Sequence, residues 1–95
     1  MKKLAVSRHF QKQLKKLSHQ DQDKVAAALR VFLESLKRQG LPAGLGFKKI
    51  NGDKYEIRVD IHHRIVMKLD GDTFVCHLVG SHDAVRRYLR DYRNR

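Results

Sequence analysis

The spacing of the hydrophobic residues changes sharply at the segment "QGLPAGLG" (residues 39–46). In the two helices predicted before it they recur every three or four residues, as on one face of an α-helix, and directly after it they alternate with polar residues, as in a β-strand. The segment holds the only proline and three of the six glycines, which is typical of a loop. Helical periodicity followed by strand periodicity predicts an α+β fold, and 95 residues (1–95) suffice for one domain with one core.

Two helices are predicted before the loop. Ser7 can cap the first, and Ser18 with Asp21 is close to a capping box at the start of the second, which Gly40 should end. The first helix carries Phe10, Leu14 and Leu17 on one face, and the second carries Val25, Leu29, Phe32, Leu33 and Leu36. Two short amphipathic helices in succession indicate an antiparallel hairpin.

Strands are predicted on both sides of this hairpin. Residues 2–6 indicate a short edge strand, and "FKKI", "KYEIRVDI" and "HRIVMKL" follow the loop with turns at "NGD" and "DGD". "FVCHLVG" is nearly all apolar, as expected of a central strand covered on both faces. Ser81 then caps a last helix with Val85, Leu89 and Tyr92 on one face. The predicted fold is a small antiparallel sheet, with the helical hairpin on one face and a short C-terminal helix.

The chain is strongly basic and its charge is unevenly distributed. Twenty-one Lys and Arg residues against ten Asp and Glu residues give a net charge of +11. Residues 1–20 contain six basic residues and no acid, and "VRRYLRDYRNR" holds five arginines against Asp91. Such a field favours binding to a polyanion, whether nucleic acid, an acidic protein or anionic lipid.

Several other classes of protein are disfavoured. The single Cys76 cannot form an internal disulfide and is expected in the core, which favours a reducing compartment. The opening "MKKLAVSRHF" has too short an apolar run for a signal peptide, and nothing approaches a membrane span, so the cytoplasm is predicted. His62 and His63 are adjacent and point to opposite faces of a strand, and no metal, P-loop or serine-hydrolase motif appears. Neither metal nor cofactor is predicted, and His77 is expected to be a hydrogen-bonded core residue.

The strand alternation gathers ionisable side chains on the sheet face away from the hairpin. That face is predicted to carry Glu56, Arg58, Arg64 and Lys68. His82 follows the end of the next strand, where a helix N-terminus would favour a phosphate. Two interpretations stay open: a solvated face on which Arg58 pairs with Glu56 or Asp60, or a site that grips a phosphate.

These segments resemble the RelE/ParE superfamily of bacterial toxins from toxin–antitoxin pairs. The resemblance covers nearly the whole chain, through "FQKQLKKL", "GLGFKKINGDKYEIRVDIHHRIVMKL" and "VGSHDAVRRYL", and its most specific part is "YEIRV…HRIV" with the later histidine turn. It implies a RelE-like toxin of a type II system, a metal-independent endoribonuclease that cleaves mRNA on the ribosome. The implied partners are an acidic antitoxin and mRNA, with operator DNA bound only through the antitoxin complex and no membrane.

The resemblance also implies catalytic residues. Arg58 matches the cationic position of the "YxIxV" strand, Arg64 the arginine of the "YR" or "HR" motif, and His82 the histidine of the "G-[ST]-H" turn of YafQ-like toxins. Glu56 departs from the RelE pattern, in which the corresponding strand bears lysine. His63 precedes Arg64, as in YoeB-like toxins. Either Glu56 or His63 is therefore the predicted base for attack by an RNA 2′-hydroxyl, with the arginines stabilising the transition state and His82 as the acid.

A wider set of residues is predicted to contact RNA, namely Lys48, Lys49, Lys68, Arg86, Arg87 and Tyr88. Two other functions remain as alternatives. One is a ParE-like inhibitor of DNA gyrase that has the same fold and no nuclease activity, and the other is a basic nucleic-acid-binding module without catalysis.

Overall fold

The computed structural model describes residues 2–38 and 46–93, and it confirms the α+β class. Its elements are β1 (Lys3–Val6), α1 (Arg8–Lys15), α2 (His19–Lys37), β2 (Lys48–Asn51), β3 (Lys54–Arg58), β4 (Arg64–Asp70), β5 (Thr73–Gly80) and α3 (His82–Arg93). The predicted helix end at Gly40 lies outside the described residues. Within them, no helix is long and apolar enough to cross a bilayer.

Serine N-caps start the helices where the sequence predicted them. The Ser7 hydroxyl accepts a hydrogen bond from the Phe10 N–H at 3.0 Å. In the same way, Ser18 accepts from the Asp21 N–H and Ser81 from the Ala84 N–H, both at 3.1 Å. Each cap satisfies one of the N–H groups that the first turn of a helix leaves without a partner.

The five strands form one sheet in the order β1-β5-β4-β3-β2. Three neighbouring pairs are antiparallel, but β1 pairs with β5 in parallel, from Lys3 opposite Thr73 to Val6 opposite Cys76. The sheet is therefore mixed, which corrects the purely antiparallel sheet predicted. Side-chain alternation reports which face a residue occupies and carries no information on strand direction, so it could not reveal this pair.

Helices cover both faces of the sheet. The core on the α1–α2 side contains Phe10, Val25, Phe32, Ile57, Ile65, Met67, Phe74 and Cys76. The smaller core on the other side contains Val66, Leu78 and Val85, with Ile50, Tyr88 and Leu89 packed against it. Thus α3 lies on the face opposite the hairpin. Cys76 is fully buried, as predicted, and burial raises the pKa of its thiol to about 12.

One irregularity interrupts the pairing of β4 with β5. Val66 lies opposite Leu78, but the next residue, Met67, lies opposite Cys76, so that His77 is the extra residue of a β-bulge. His77 is half-buried and lines an open cleft, so it is not the core residue predicted from its apolar neighbours.

Candidate active site

Three of the predicted catalytic residues, Arg58, Arg64 and His82, lie at the same end of the sheet, where three strands begin or end. Arg58 at the end of β3 lies opposite Arg64 at the start of β4, and Arg64 lies opposite Gly80 at the end of β5. His82 begins α3 two residues beyond Gly80. Directly opposed residues of antiparallel strands project to the same face, so both arginines point to the α3 side of the sheet.

A cleft of about 260 Å³ opens beside this row. We call it the Glu56 cleft, and it is lined by Gly46, Phe47, Lys48, Glu56, Arg58 and Arg64. It therefore unites three predicted catalytic residues with one predicted RNA-binding lysine. Gly46 and Phe47 were not predicted, although glycine beside an alternating strand was a signal that the backbone there approaches a neighbour closely.

Glu56 is the buried acid of this cleft, with 4% of its surface exposed. Arg64 Nη1 donates to Glu56 Oε2 at 3.3 Å, and Lys48 Nζ lies 3.5 Å from the same oxygen. A buried carboxylate is tolerated when cations compensate it, which explains why these two basic side chains converge on it. Among the described residues, both ionic contacts of Glu56 use Oε2, and Oε1 makes none.

Arg58 is exposed, and the pairing with Glu56 or Asp60 that one of the two open interpretations required does not form between these described residues. Glu56 pairs with Arg64 instead, because a long side chain diagonally across two strands can reach it. In the part of the chain that the structure describes, no acid lies within ion-pair distance of Arg58. Its guanidinium thus keeps its donors for a ligand.

Gly46 holds a backbone conformation that few other residues adopt, with φ of +68°. A Cβ atom built there would lie 2.7 Å from Arg58 Cβ. Glycine is therefore required both by the backbone angle and by the close approach of Arg58.

His82 is exposed at the N-terminus of α3. The cap at Ser81 and the buried Val85 fix the start of this helix against the sheet. Arg86 and Arg87 are exposed on the same helix, and Arg86 lies one turn beyond His82. His82 therefore stands at the sheet end that carries both arginines, in contact with solvent.

His63 is not brought to the Glu56 cleft. Its ring Nδ1 lies 3.2 Å from Asp60 Oδ1, and its Nε2 lies 3.8 Å from Asp21 Oδ2 on α2, which packs on the other side of the sheet. Asp60 Oδ1 also accepts the backbone N–H groups of His62 (2.8 Å) and His63 (2.7 Å). Burial raises the pKa of Asp60, but these hydrogen bonds and the nearby imidazole outweigh it and bring the pKa down to about 2.

Asp21, Asp60 and His63 also offer ligand atoms that lie within 4.8 Å of one another. Lys24 Nζ lies 3.5 Å from Asp60 Oδ2, so each oxygen of this carboxylate already has a partner. Hydrogen bonds and ion pairs thus account for the cluster, which holds the β3–β4 turn against α2.

The remaining predicted RNA-binding residues lie apart. Lys49 is opposite Tyr55, whose ring stacks on Phe47 at 5.4 Å within the hairpin-side core, so Lys49 belongs to the other face. Lys68 and Tyr88 line a second cleft of about 420 Å³ towards the opposite end of β4.

Solved structures with a similar fold include toxins and toxin–antitoxin complexes. A chain of the RelB–RelE antitoxin–toxin complex from Methanococcus jannaschii matches with a TM-score of 0.68 and 23% identity, over 88% of this chain and 96% of that one. A mutant of the toxin YafQ from E. coli matches with a TM-score of 0.67 and 17% identity, over 90% and 98% of the two chains. The YoeB dimer from Staphylococcus aureus matches with a TM-score of 0.63 and 20% identity, over 85% and 97%.

No family model matches the chain, and no curated protein matches it by sequence. The similarity to the solved structures is nevertheless almost complete in length on both sides. The chain therefore has the RelE-like toxin fold that its sequence predicted.

Proposed function

We propose that this chain is the toxin of a type II toxin–antitoxin pair and acts as a metal-independent endoribonuclease that cleaves mRNA on the ribosome. The observation that carries the proposal is the convergence of Glu56, Arg58 and Arg64 in one cleft, with His82 at the same end of the sheet. The shared fold with RelE, YafQ and YoeB structures supports it.

The proposed reaction is attack by an RNA 2′-hydroxyl on the adjacent phosphorus. Glu56 Oε1 takes the proton of the 2′-hydroxyl as the new P–O bond forms. Arg58 and Arg64 donate to the phosphate oxygens, whose negative charge grows in the transition state. His82 gives a proton to the 5′-oxygen as the P–O5′ bond breaks, a role suited to imidazole near neutral pH. DNA has no 2′-hydroxyl and is not cleaved.

The proposal gives His63 a structural part, because Asp60 and Asp21 occupy both of its ring nitrogens. Lys48, Arg86, Arg87 and the residues of the second cleft contact the RNA backbone. Lys49 lies on the other face and is the RNA contact that the geometry supports least.

The proposed partners follow from the proposed role as a ribonuclease toxin. The toxin acts in the cytoplasm on mRNA, and an acidic antitoxin inhibits it. The RelB–RelE structure and a DinJ–YafQ structure from E. coli are both toxin–antitoxin complexes, which supports an antitoxin partner. Operator DNA is bound only through the toxin–antitoxin complex, and no membrane is involved.

The decisive measurement is the mapping of new mRNA 5′ ends after incubating the purified protein with translating ribosomes. His82→Ala should lower the cleavage rate by about 10²–10⁴-fold, the usual worth of a positioned acid, and leave the Tm unchanged because the side chain is exposed.

His19→Ala is a matched control, because His19 also begins a helix after a capping serine and is exposed. It should cleave like the parent. Full activity of His82→Ala would remove the histidine from the mechanism. Inhibition of gyrase supercoiling without any cleavage would favour the ParE-like alternative.

A further inference from the structure

The second cleft lies on the same sheet face as the Glu56 cleft, on the far side of the apolar patch covered by α3. We call it the Lys68 cleft, and its lining residues are Ser7, His9, Lys54, Lys68, His77 and Tyr88. Lys68 is four residues along β4 from Arg64, which separates the two positions by roughly 13 Å.

The positions of the two lysines in the Lys68 cleft are unfavourable for the stability of the sheet. Lys54 on β3 lies directly opposite Lys68 on β4, so both project to the same face. Like charges in directly opposed positions destabilise a sheet. Asp53 compensates them in part, with its Oδ1 3.6 Å from Lys54 Nζ and its Oδ2 3.8 Å from Lys68 Nζ.

Two histidine rings also line this cleft. The β-bulge brings His77 to it from β5, and His9 reaches it from the first turn of α1. Burial lowers the pKa of His77, and the neighbouring Lys68, Lys54 and His9 lower it further. Two lysines thus lie beside two histidine rings here, and both lysines share the Asp53 carboxylate as their ionic partner.

We propose that the Lys68 cleft is a second phosphate-binding site, which holds the RNA chain at a phosphate a few nucleotides away from the one that is cleaved. This proposal rests on the proposed ribonuclease function. A phosphate would neutralise the opposed pair of Lys54 and Lys68 and accept their hydrogen bonds. A base next to it could stack on the ring of Tyr88, as bases do on aromatic side chains in single-strand binding.

The test is binding of 2′-O-methyl RNA, which cannot undergo 2′-hydroxyl attack, in two lengths. A strand of about eight nucleotides reaches both clefts, and a dinucleotide reaches one. Lys68→Ala should weaken the longer strand about tenfold and lower the slope of log affinity against log salt by about 0.7, the value for one phosphate of a single strand. Dinucleotide binding should not change.

Asp53→Asn should change RNA affinity in the opposite direction to Lys68→Ala. Removing the competing carboxylate should strengthen binding of the longer strand, because both lysines then lose their internal partner. Lys12→Ala is the matched control, because Lys12 is an exposed lysine of α1 that does not line either cleft, and it should bind like the parent. The pKa of His77, followed by NMR, should rise when the longer strand binds.

Equal affinity of Lys68→Ala and the parent for the longer strand, with no change in the pKa of His77, would overturn the proposal. A Lys68→Ala variant that binds RNA normally and loses affinity for its antitoxin would assign the cleft to the protein partner and equally overturn it. Cleavage is measured separately on unmodified mRNA. An inactive parent protein would therefore refute the ribonuclease function, while the binding series still decides the second site.

Discussion

At the scale of single residues, the two arginines of the Glu56 cleft have different surroundings. Arg64 is half-buried and already donates Nη1 to Glu56, whereas Arg58 is exposed with no acid near it in the described structure. A guanidinium can hold a carboxylate with one nitrogen and a phosphate oxygen with another, but a single ammonium group cannot match that planar fork. The residue at position 64 therefore has two partners to satisfy.

Arg64→Lys is thus expected to lower turnover by about 10²-fold, and RNA affinity much less. Arg58→Lys is the natural comparison, because Arg58 would contact only the phosphate. The turnover of this variant should fall by about tenfold or less. Single-turnover cleavage and binding of 2′-O-methyl RNA separate the two effects. Equal losses in both variants would show that each arginine acts only through its charge.

Gly46→Ala tests how closely the cleft is packed. The added methyl group would meet Arg58 Cβ at 2.7 Å, and φ of +68° adds about 1–2 kcal/mol of strain. Gly71→Ala is a matched control with φ of +62° and no neighbour within 4 Å. In urea unfolding, Gly71→Ala should lose only the stability that the backbone strain costs, and Gly46→Ala should lose more because of the added contact with Arg58. Only Gly46→Ala should also lose cleavage, because it displaces Arg58. Equal activity would mean that the backbone of Arg58 is free to move.

At the scale of helices and strands, the sequence predicted the features that depend on neighbouring residues in the chain. Hydroxyl caps at three serines and the alternation of β3 and β4 were enough to place the helix starts and the shared face of Glu56, Arg58 and Arg64. The parallel direction of β1, the bulge at His77 and the choice of Arg64 as the partner of Glu56 depend on contacts between distant segments. Neither propensity nor period carries that information, so the Lys68 cleft could not be predicted.

The β3–β4 turn shows how an element can be held by one carboxylate. Asp60 is 20% exposed and has a pKa of about 2, lowered from its ordinary value of 3.8. A carboxyl with a lowered folded-state pKa stabilises the fold above the unfolded-state pKa, and this stabilisation is lost as the pH falls from about 4 towards 2.

Asp60→Asn should therefore cost about 1–3 kcal/mol at neutral pH, and the difference from the parent should shrink between pH 4 and pH 2. Urea unfolding across this pH range measures it. Asp23→Asn, at an exposed position of α2, is the control and should track the parent throughout. A difference between Asp60→Asn and the parent that does not change with pH would show that the carboxylate contributes by packing alone.

At the scale of the whole molecule, charge rather than shape sets the range of partners. Most of the net charge of +11 comes from the first 20 residues, which hold six basic residues and no acid, while α3 holds four arginines against two aspartates. An inhibitor that must compete with RNA for this surface gains most from negative charge spread over a long segment. A disordered acidic segment can fold onto such a surface and cover a wide area without touching every catalytic residue.

The antitoxin is therefore expected to be steered electrostatically to the toxin. Its association rate should fall at least tenfold between about 0.01 M and 0.15 M salt, as the Debye length contracts from about 30 Å to about 8 Å. Dissociation should change less, because contacts formed after docking are screened less. Stopped-flow mixing of toxin and antitoxin at several salt concentrations measures both rates.

Replacing the exposed Lys12, Lys15 and Lys16 of the acid-free N-terminal region by Gln should flatten this salt dependence. Replacing one lysine elsewhere, as in Lys37→Gln near an acid at 4.0 Å, should alter it little, because that charge is already partly compensated. A salt-independent association rate of the parent, or the absence of an acidic protein that co-purifies with it from its native host, would contradict electrostatic capture. In that case the basic surface is better explained by nucleic acid alone, and a free-standing nucleic-acid-binding module becomes the stronger hypothesis.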